Sequence, residues 1–266
     1  MPYADLGTIC LAYEDTGPPA NADGPPLLLL HELGGGAESW RAAIPFFSAW
    51  RRVIAMDCRC AGRSEKPTAP FELADVADDA SALLAHLGIG RVDVVGAAMG
   101  SLLGVLLAGR HPGLVRRLAM FAVADDMSGR TAEYLAARAA RVRTEGMRAV
   151  MDASLKNAFP EAFAAAREAY RPLYLGNDPA AYAALSLALA RANLTQPVWD
   201  AVQVPTLAVS GALDFIWPPD LGRQTAARIA GARFEVLTDA GHFPHLQTPA
   251  ALAATTGRFF SGESML

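Results

Sequence analysis

What the chain lacks narrows its function before any motif is read. It has no run of about 18 uninterrupted apolar residues, and its first residues carry neither the basic n-region nor the apolar h-region of an export signal. A cytoplasmic protein without a membrane partner is the expectation. Only three cysteines are present, Cys10, Cys58 and Cys60, so they cannot all pair with one another. Cys58-Arg59-Cys60 is neither a zinc-ligand set nor a C-x-x-C redox pair, which points to free thiols and no metal site. A basic block is also missing: the net charge is −4, which argues against nucleic acid as the partner. Internal repeats and low-complexity tails are absent. What is there is apolar surface, in 52% of 266 residues, enough to bury the core of one large domain or of a core with an insertion. A small molecule is the default ligand. Monomer and homodimer both stay open.

Short β-prone runs alternate with helical patterns in the manner of βαβ units and a mostly parallel sheet. The runs are 8–13, 27–30, 53–56, 92–95, 118–123, 206–210 and 233–237. Helices are expected over 73–87, 221–229 and 249–260, the first from the spacing of its apolar positions. The alternation stops after Ala124. Residues 127–199 read as consecutive Ala- and Arg-rich helices broken at Pro160, Pro172 and the turn 176–179. A core of 1–126 and 200–266 with a helical cap of 127–199 is the expected organisation.

One further absence is local. The segment Gly96-Ala97-Ala98-Met99-Gly100 joins an apolar strand to a helix beginning near Leu102, and it has the form G-x-A-x-G. A G-x-S-x-G turn is strained so that its serine projects over the sheet edge, and small flanking residues avoid clashes there. Here the hydroxyl is missing. Ser101 is not a displaced nucleophile, because Met99 and Leu103 stand where glycines would be needed.

Four other segments lie in register with this turn. Residues 28–36 read Leu-Leu-Leu-His31-Glu32-Leu33-Gly-Gly-Gly, with Ser39-Trp40 following; residues 57–64 read Asp57-Cys58-Arg59-Cys60-Ala-Gly-Arg63-Ser64. Then come Ser210-Gly-Ala-Leu-Asp214 and Ala240-Gly-His242-Phe-Pro-His245. Taken together these resemble the α/β-hydrolase superfamily, in its branch of small cap-bearing esterases, lactonases and carbon–carbon bond hydrolases. The resemblance covers nearly the whole chain. It implies an α/β fold with a mostly parallel sheet of about eight strands flanked by helices, and cofactor-free hydrolysis by a nucleophile, histidine and acid in that chain order. Residue by residue, it implies Ala98 at the nucleophile position, His242 as base and Asp214 as acid. The backbone N–H groups of Leu33 and Met99 would form the oxyanion hole. Asp214 could instead cap the turn that follows it, and Asp125 or Asp126 is the competing acid.

Three departures from the family pattern bear on function. Glu32 stands where the resemblance has glycine, either as an extra acid or base beside the pocket or as a hydrogen-bonded structural group. Cys60 replaces a second glycine, and buried packing is the commoner role for both Cys58 and Cys60. Ala98 has two principal readings. It is a serine-to-alanine replacement that leaves a binding site without turnover. Otherwise the chain is naturally serine-free, a lyase or isomerase moving protons with His242 and either Asp214 or Glu32. A non-catalytic ligand receptor is the weaker third reading.

Substrate class is faintly marked. Residues 127–199 carry nine Lys and Arg against six Asp and Glu, on a chain that is net negative. A cationic cap would attract a carboxylate, with Arg138, Arg141, Arg143 and Arg171 as candidate partners and His31, Glu32 and Trp217 as further pocket residues. Solvated helix faces are the competing explanation for each arginine. Trp199, Phe215 and Tyr174 could line an apolar pocket or pack in the core.

Overall fold

The computed structural model describes residues 1–22, 24–123, 129–192 and 194–262. Eight strands form one sheet: β1 (Tyr3–Asp5), β2 (Cys10–Asp15), β3 (Leu27–Leu30), β4 (Val53–Met56), β5 (Val92–Ala97), β6 (Val115–Phe121), β7 (Thr206–Gly211) and β8 (Arg233–Leu237). The order across the sheet is β1-β2-β4-β3-β5-β6-β7-β8. β1 and β2 pair antiparallel, as do β2 and β4, and every later pair is parallel. β1 escaped the sequence pattern because three residues are too few to show alternation.

The helices are α1 (Ile44–Ser48), α2 (Leu73–His86), α3 (Met99–Arg110), α4 (Gly129–Glu145), α5 (Arg148–Ala158), α6 (Ala164–Leu175), α7 (Pro179–Arg191), α8 (Gln196–Asp200), α9 (Pro219–Ala226), α10 (Pro244–Gln247) and α11 (Pro249–Ser261). None among the described residues is long and apolar enough to cross a membrane. α6 corrects one expectation. Pro172 lies inside it rather than breaking it, and the Pro172 carbonyl accepts from Gly176 N at 2.9 Å to close the last turn. Burial of Tyr170 and Tyr174 on one face of this helix outweighs the hydrogen bond that a proline cannot donate.

Strand residues alternate between two cores, as the two-residue period of a strand requires. Leu28, Leu30, Ile54 and Met56 face one layer with α2 and α3; Leu27, Leu29, Val53 and Ala55 face the other with Phe47 of α1 and Phe259 of α11. A third apolar cluster joins the helices between β6 and β7 to the carboxyl edge of the sheet. In it Val142, Met151, Tyr170, Tyr174 and Tyr182 meet Phe243, with Leu33 and Ala98 packed against them. Ligands of open α/β sheets bind at this edge.

Candidate active site

The junction of β5 and α3 is forced by close packing. A Cβ on Gly96 would lie 2.3 Å from the Gly100 carbonyl oxygen, and one on Gly100 would lie 2.0 Å from that of Leu30. Between these glycines Ala98 has φ +50° and ψ −112°, a conformation an L residue adopts only under constraint. Ser101 supplies part of that constraint. Its hydroxyl hydrogen-bonds the carbonyls of Gly96 at 2.8 Å and Phe121 at 2.9 Å, and accepts from Phe121 N at 3.0 Å, fastening the turn to β6. Ala98 itself lines a cavity of about 400 Å³.

Loops after β7 and β8 bring His242 to this cavity and Asp214 behind it. His242 Nδ1 lies 2.9 Å from Asp214 Oδ2, both residues being buried. The other carboxylate oxygen, Oδ1, accepts from the backbone N–H groups of Ile216 at 2.8 Å and Trp217 at 2.9 Å. Asp214 therefore both caps its turn and orients the imidazole. An ionised carboxylate only accepts, so the proton sits on Nδ1. Nε2 has no partner among the described residues, and in the neutral ring it carries the lone pair. Leu33 and Met99 also line the cavity, and their N–H groups are not taken up by other described groups. A base with a free lone pair beside two free main-chain donors is an arrangement suited to acyl transfer. Asp125 and Asp126 lie outside the described residues.

Glu32 reaches the cavity wall with every oxygen occupied. Oε1 accepts from Tyr170 OH at 2.7 Å; Oε2 accepts from His245 Nε2 at 3.0 Å and from Ser39 Oγ at 3.2 Å. Burial pushes this carboxyl up, but the charge and hydrogen bond of His245 and the Tyr170 hydroxyl outweigh burial and hold it down at about 2. A carboxylate so held is a poor proton acceptor. That weighs against Glu32 as the base of a serine-free reaction.

Of the four candidate arginines, only Arg138 lines the cavity. It hydrogen-bonds Tyr174 OH and lies over the Tyr182 ring at 5.4 Å, and its Nε is buried without a partner among the described residues. Among the described residues it has no carboxylate partner. The other three are not brought to the cavity. Arg141 pairs with Glu145 at 3.1 Å on the exposed side of α4, Arg143 is exposed, and Arg171 is held outward by Glu168 at 2.9 Å and Asp152 at 3.0 Å. The reason is helical phase: Leu135, Ala139 and Val142 set the buried face of α4, and Arg138 falls on its border.

His31 is likewise absent from the cavity wall. It is fully buried, its Nε2 accepting from Cys58 N at 3.0 Å and its Nδ1 lying 2.7 Å from the Glu32 carbonyl, so it braces the loop from below. Trp217 does line the cavity, with Phe215 at its rim. Trp199 is core, its indole donating to the Leu194 carbonyl at 3.0 Å. Cys60 takes φ +65°, explaining why glycine suits that position, and burial pushes its thiol up to about 11, leaving no reactive thiolate. Sequence reading missed Tyr170, Ser154 and Asn157 in the cavity wall. The four-residue spacing of Tyr170 and Tyr174 was the available signal, since it places both rings on one helix face. Among the described residues no three His, Cys, Asp or Glu side chains converge as a metal-ligand set.

Comparison with known proteins agrees with this fold. Residues 25–249 match the alpha/beta hydrolase fold family. The enol-lactonase from Burkholderia xenovorans superposes with a TM-score of 0.90 at 31% identity, covering 98% of this chain and 100% of that one. The 3-oxoadipate enol-lactonase 2 of Acinetobacter baylyi is 28% identical over 86% of each chain. The 2-hydroxymuconate semialdehyde hydrolase of a Pseudomonas strain is 28% identical over 89% of this chain and 87% of its own. The chain belongs to the alpha/beta hydrolase fold family, in its branch of small esterases and lactonases.

Proposed function

We propose that this chain is a hydrolase of a small ester, lactone or activated carbon–carbon bond, on a substrate bearing a carboxylate, whose nucleophile position is occupied by Ala98. The observation that carries the reading is the His242–Asp214 pair at 2.9 Å beside a strained alanine. Holding a non-glycine residue in such a conformation costs about 1–3 kcal/mol, which serves a purpose when a side chain must be projected. Alanine has nothing to project. A serine there would place Oγ in the cavity, His242 Nε2 would take its proton, and the N–H groups of Leu33 and Met99 would receive the oxyanion. The helices α4 to α7, within the expected cap of 127–199, cover this site. Arg138, which has no carboxylate partner among the described residues, takes the substrate's. The names of the relatives fit an acid of this kind, one being a 3-oxoadipate enol-lactonase.

The test is Ala98→Ser against p-nitrophenyl esters and small lactones, with His242→Ala in the serine background. Turnover is expected to rise by roughly 10³–10⁶ with serine and to vanish with the histidine change. If serine adds nothing on any substrate, the hydrolase reading fails. A lyase using His242 and Asp214 would instead show turnover with Ala98 in place and lose it on His242→Ala, whereas a receptor would keep its ligand affinity.

A further inference from the structure

Glu32 stands at a junction that the acyl-transfer chemistry does not use. It follows β3 and directly precedes Leu33, one of the two free N–H donors. Its carboxylate is contacted from two distant parts of the chain, by Tyr170 of α6 at 2.7 Å and His245 of α10 at 3.0 Å, and by the nearby Ser39 at 3.2 Å. The turn is folded around this side chain, since a Cβ on Gly35 would lie 2.1 Å from Oε1, while Gly35 N donates to the Glu32 carbonyl at 3.1 Å. His245 is fully buried, 4.5 Å from the Trp40 ring and 5.8 Å from Phe243, and lies three residues after His242. One carboxylate thus touches the segment carrying the base, the turn carrying an oxyanion donor and a helix that walls the cavity.

The arrangement is costly. A buried carboxylate is tolerated only when hydrogen bonds replace its water, and a glycine would have made the same turn without that requirement. In a low-dielectric interior such bonds are strong and directional, so displacing one partner shifts the others.

We propose that Glu32 is a positioning residue that couples the seating of α6 to the geometry of the Leu33 N–H and of the His242 segment, so that the closed cavity and the competent oxyanion site form together. The word oxyanion rests on the hydrolase reading above; the coupling does not. Two variants test it. Tyr170→Phe removes one hydroxyl and keeps the ring, and Glu32→Gln keeps the side-chain size but not the charge. Each is made in the Ala98 protein and in the Ala98→Ser form.

In the Ala98 protein, amide hydrogen exchange needs no catalysis. Tyr170→Phe is expected to speed exchange in peptides spanning 32–36 and 242–247 by about 3–10-fold, with α2 unchanged. In the serine form, kcat on a p-nitrophenyl ester is expected to fall about 10-fold, with KM moving less than about threefold. Faster exchange confined to α6, or an unaltered kcat in a folded variant of an active serine form, overturns the coupling. If Glu32→Gln does not fold, Tyr170→Phe decides alone. An Ala98→Ser protein inactive on every ester and lactone defeats the hydrolase reading, while the exchange measurement still decides the coupling.

Discussion

Two buried histidine–carboxylate pairs of almost equal length stand three residues apart on one segment: His242 with Asp214 at 2.9 Å, and His245 with Glu32 at 3.0 Å. Their surroundings differ. Asp214 is held from behind by two backbone N–H groups, and its histidine lines the cavity with a free nitrogen. Glu32 has both oxygens taken by side chains, and its histidine is enclosed by Trp40 and Phe243, with Nδ1 buried and without a partner among the described residues. The pairs teach that an imidazole beside a carboxylate is not by itself a catalytic device. What separates a base from a brace is whether the second ring nitrogen faces a space where a substrate can come.

The sharpest way to break this contrast is to exchange the roles. In the Ala98→Ser form, His242→Ala should lower kcat by roughly 10⁴–10⁶, whereas a folded His245→Asn protein should lose far less. Equal losses would erase the distinction between the pairs. Stability should run the other way. His245→Ala takes a hydrogen-bond donor from a fully buried carboxylate and should cost about 2–4 kcal/mol in urea unfolding, whereas His242→Ala leaves Asp214 its two backbone donors and should cost under about 2.

Arg138 offers the next test, because it lines the cavity and has no carboxylate partner among the described residues. Arg138→Met should weaken binding of a small dicarboxylate to the Ala98 protein by about 10–100-fold in calorimetry, with little change for an uncharged ester. Equal weakening of both ligands would remove the carboxylate from the proposed substrate. Ser101→Ala should cost about 1–3 kcal/mol by loosening the strained turn from β6, measured as a fall in the urea midpoint.

The smallest signal is in pH. Folding lowers the Glu32 carboxyl from its ordinary 4.5 to about 2, so its stabilising contribution is present above pH 4.5 and is lost as pH falls from there toward 2. The stability gap between the Ala98 protein and Glu32→Gln should therefore be flat at neutral pH and shrink across that acid window. A gap that stays constant down to the lower limit would show that the charge at position 32 contributes nothing.

Much of the fold was written locally. The alternation of β-prone runs and helices and the glycines at 96 and 100 rest on neighbours in sequence, where backbone sterics act directly, while the order of elbow, acid and histidine came from the family resemblance. The cavity arginine was half legible: the charge of the 127–199 segment pointed to a cation, but the choice of Arg138 over Arg141 depends on how α4 rotates against its neighbours. Pro172 misled because proline's cost is local, while the packing that overrides it is not.

The sequence by itself determined a mostly parallel sheet and a strand-to-helix turn without its hydroxyl, since each is a property of a few consecutive residues; candidates for acid and base came through the family resemblance. Tertiary structure alone decided what Glu32 does. Its partners Tyr170 and His245 lie 138 and 213 residues away, and neither pairing has a sequence period or spacing to announce it. A buried charge takes its meaning from the groups that replace its water, and those are assembled only when the chain has folded.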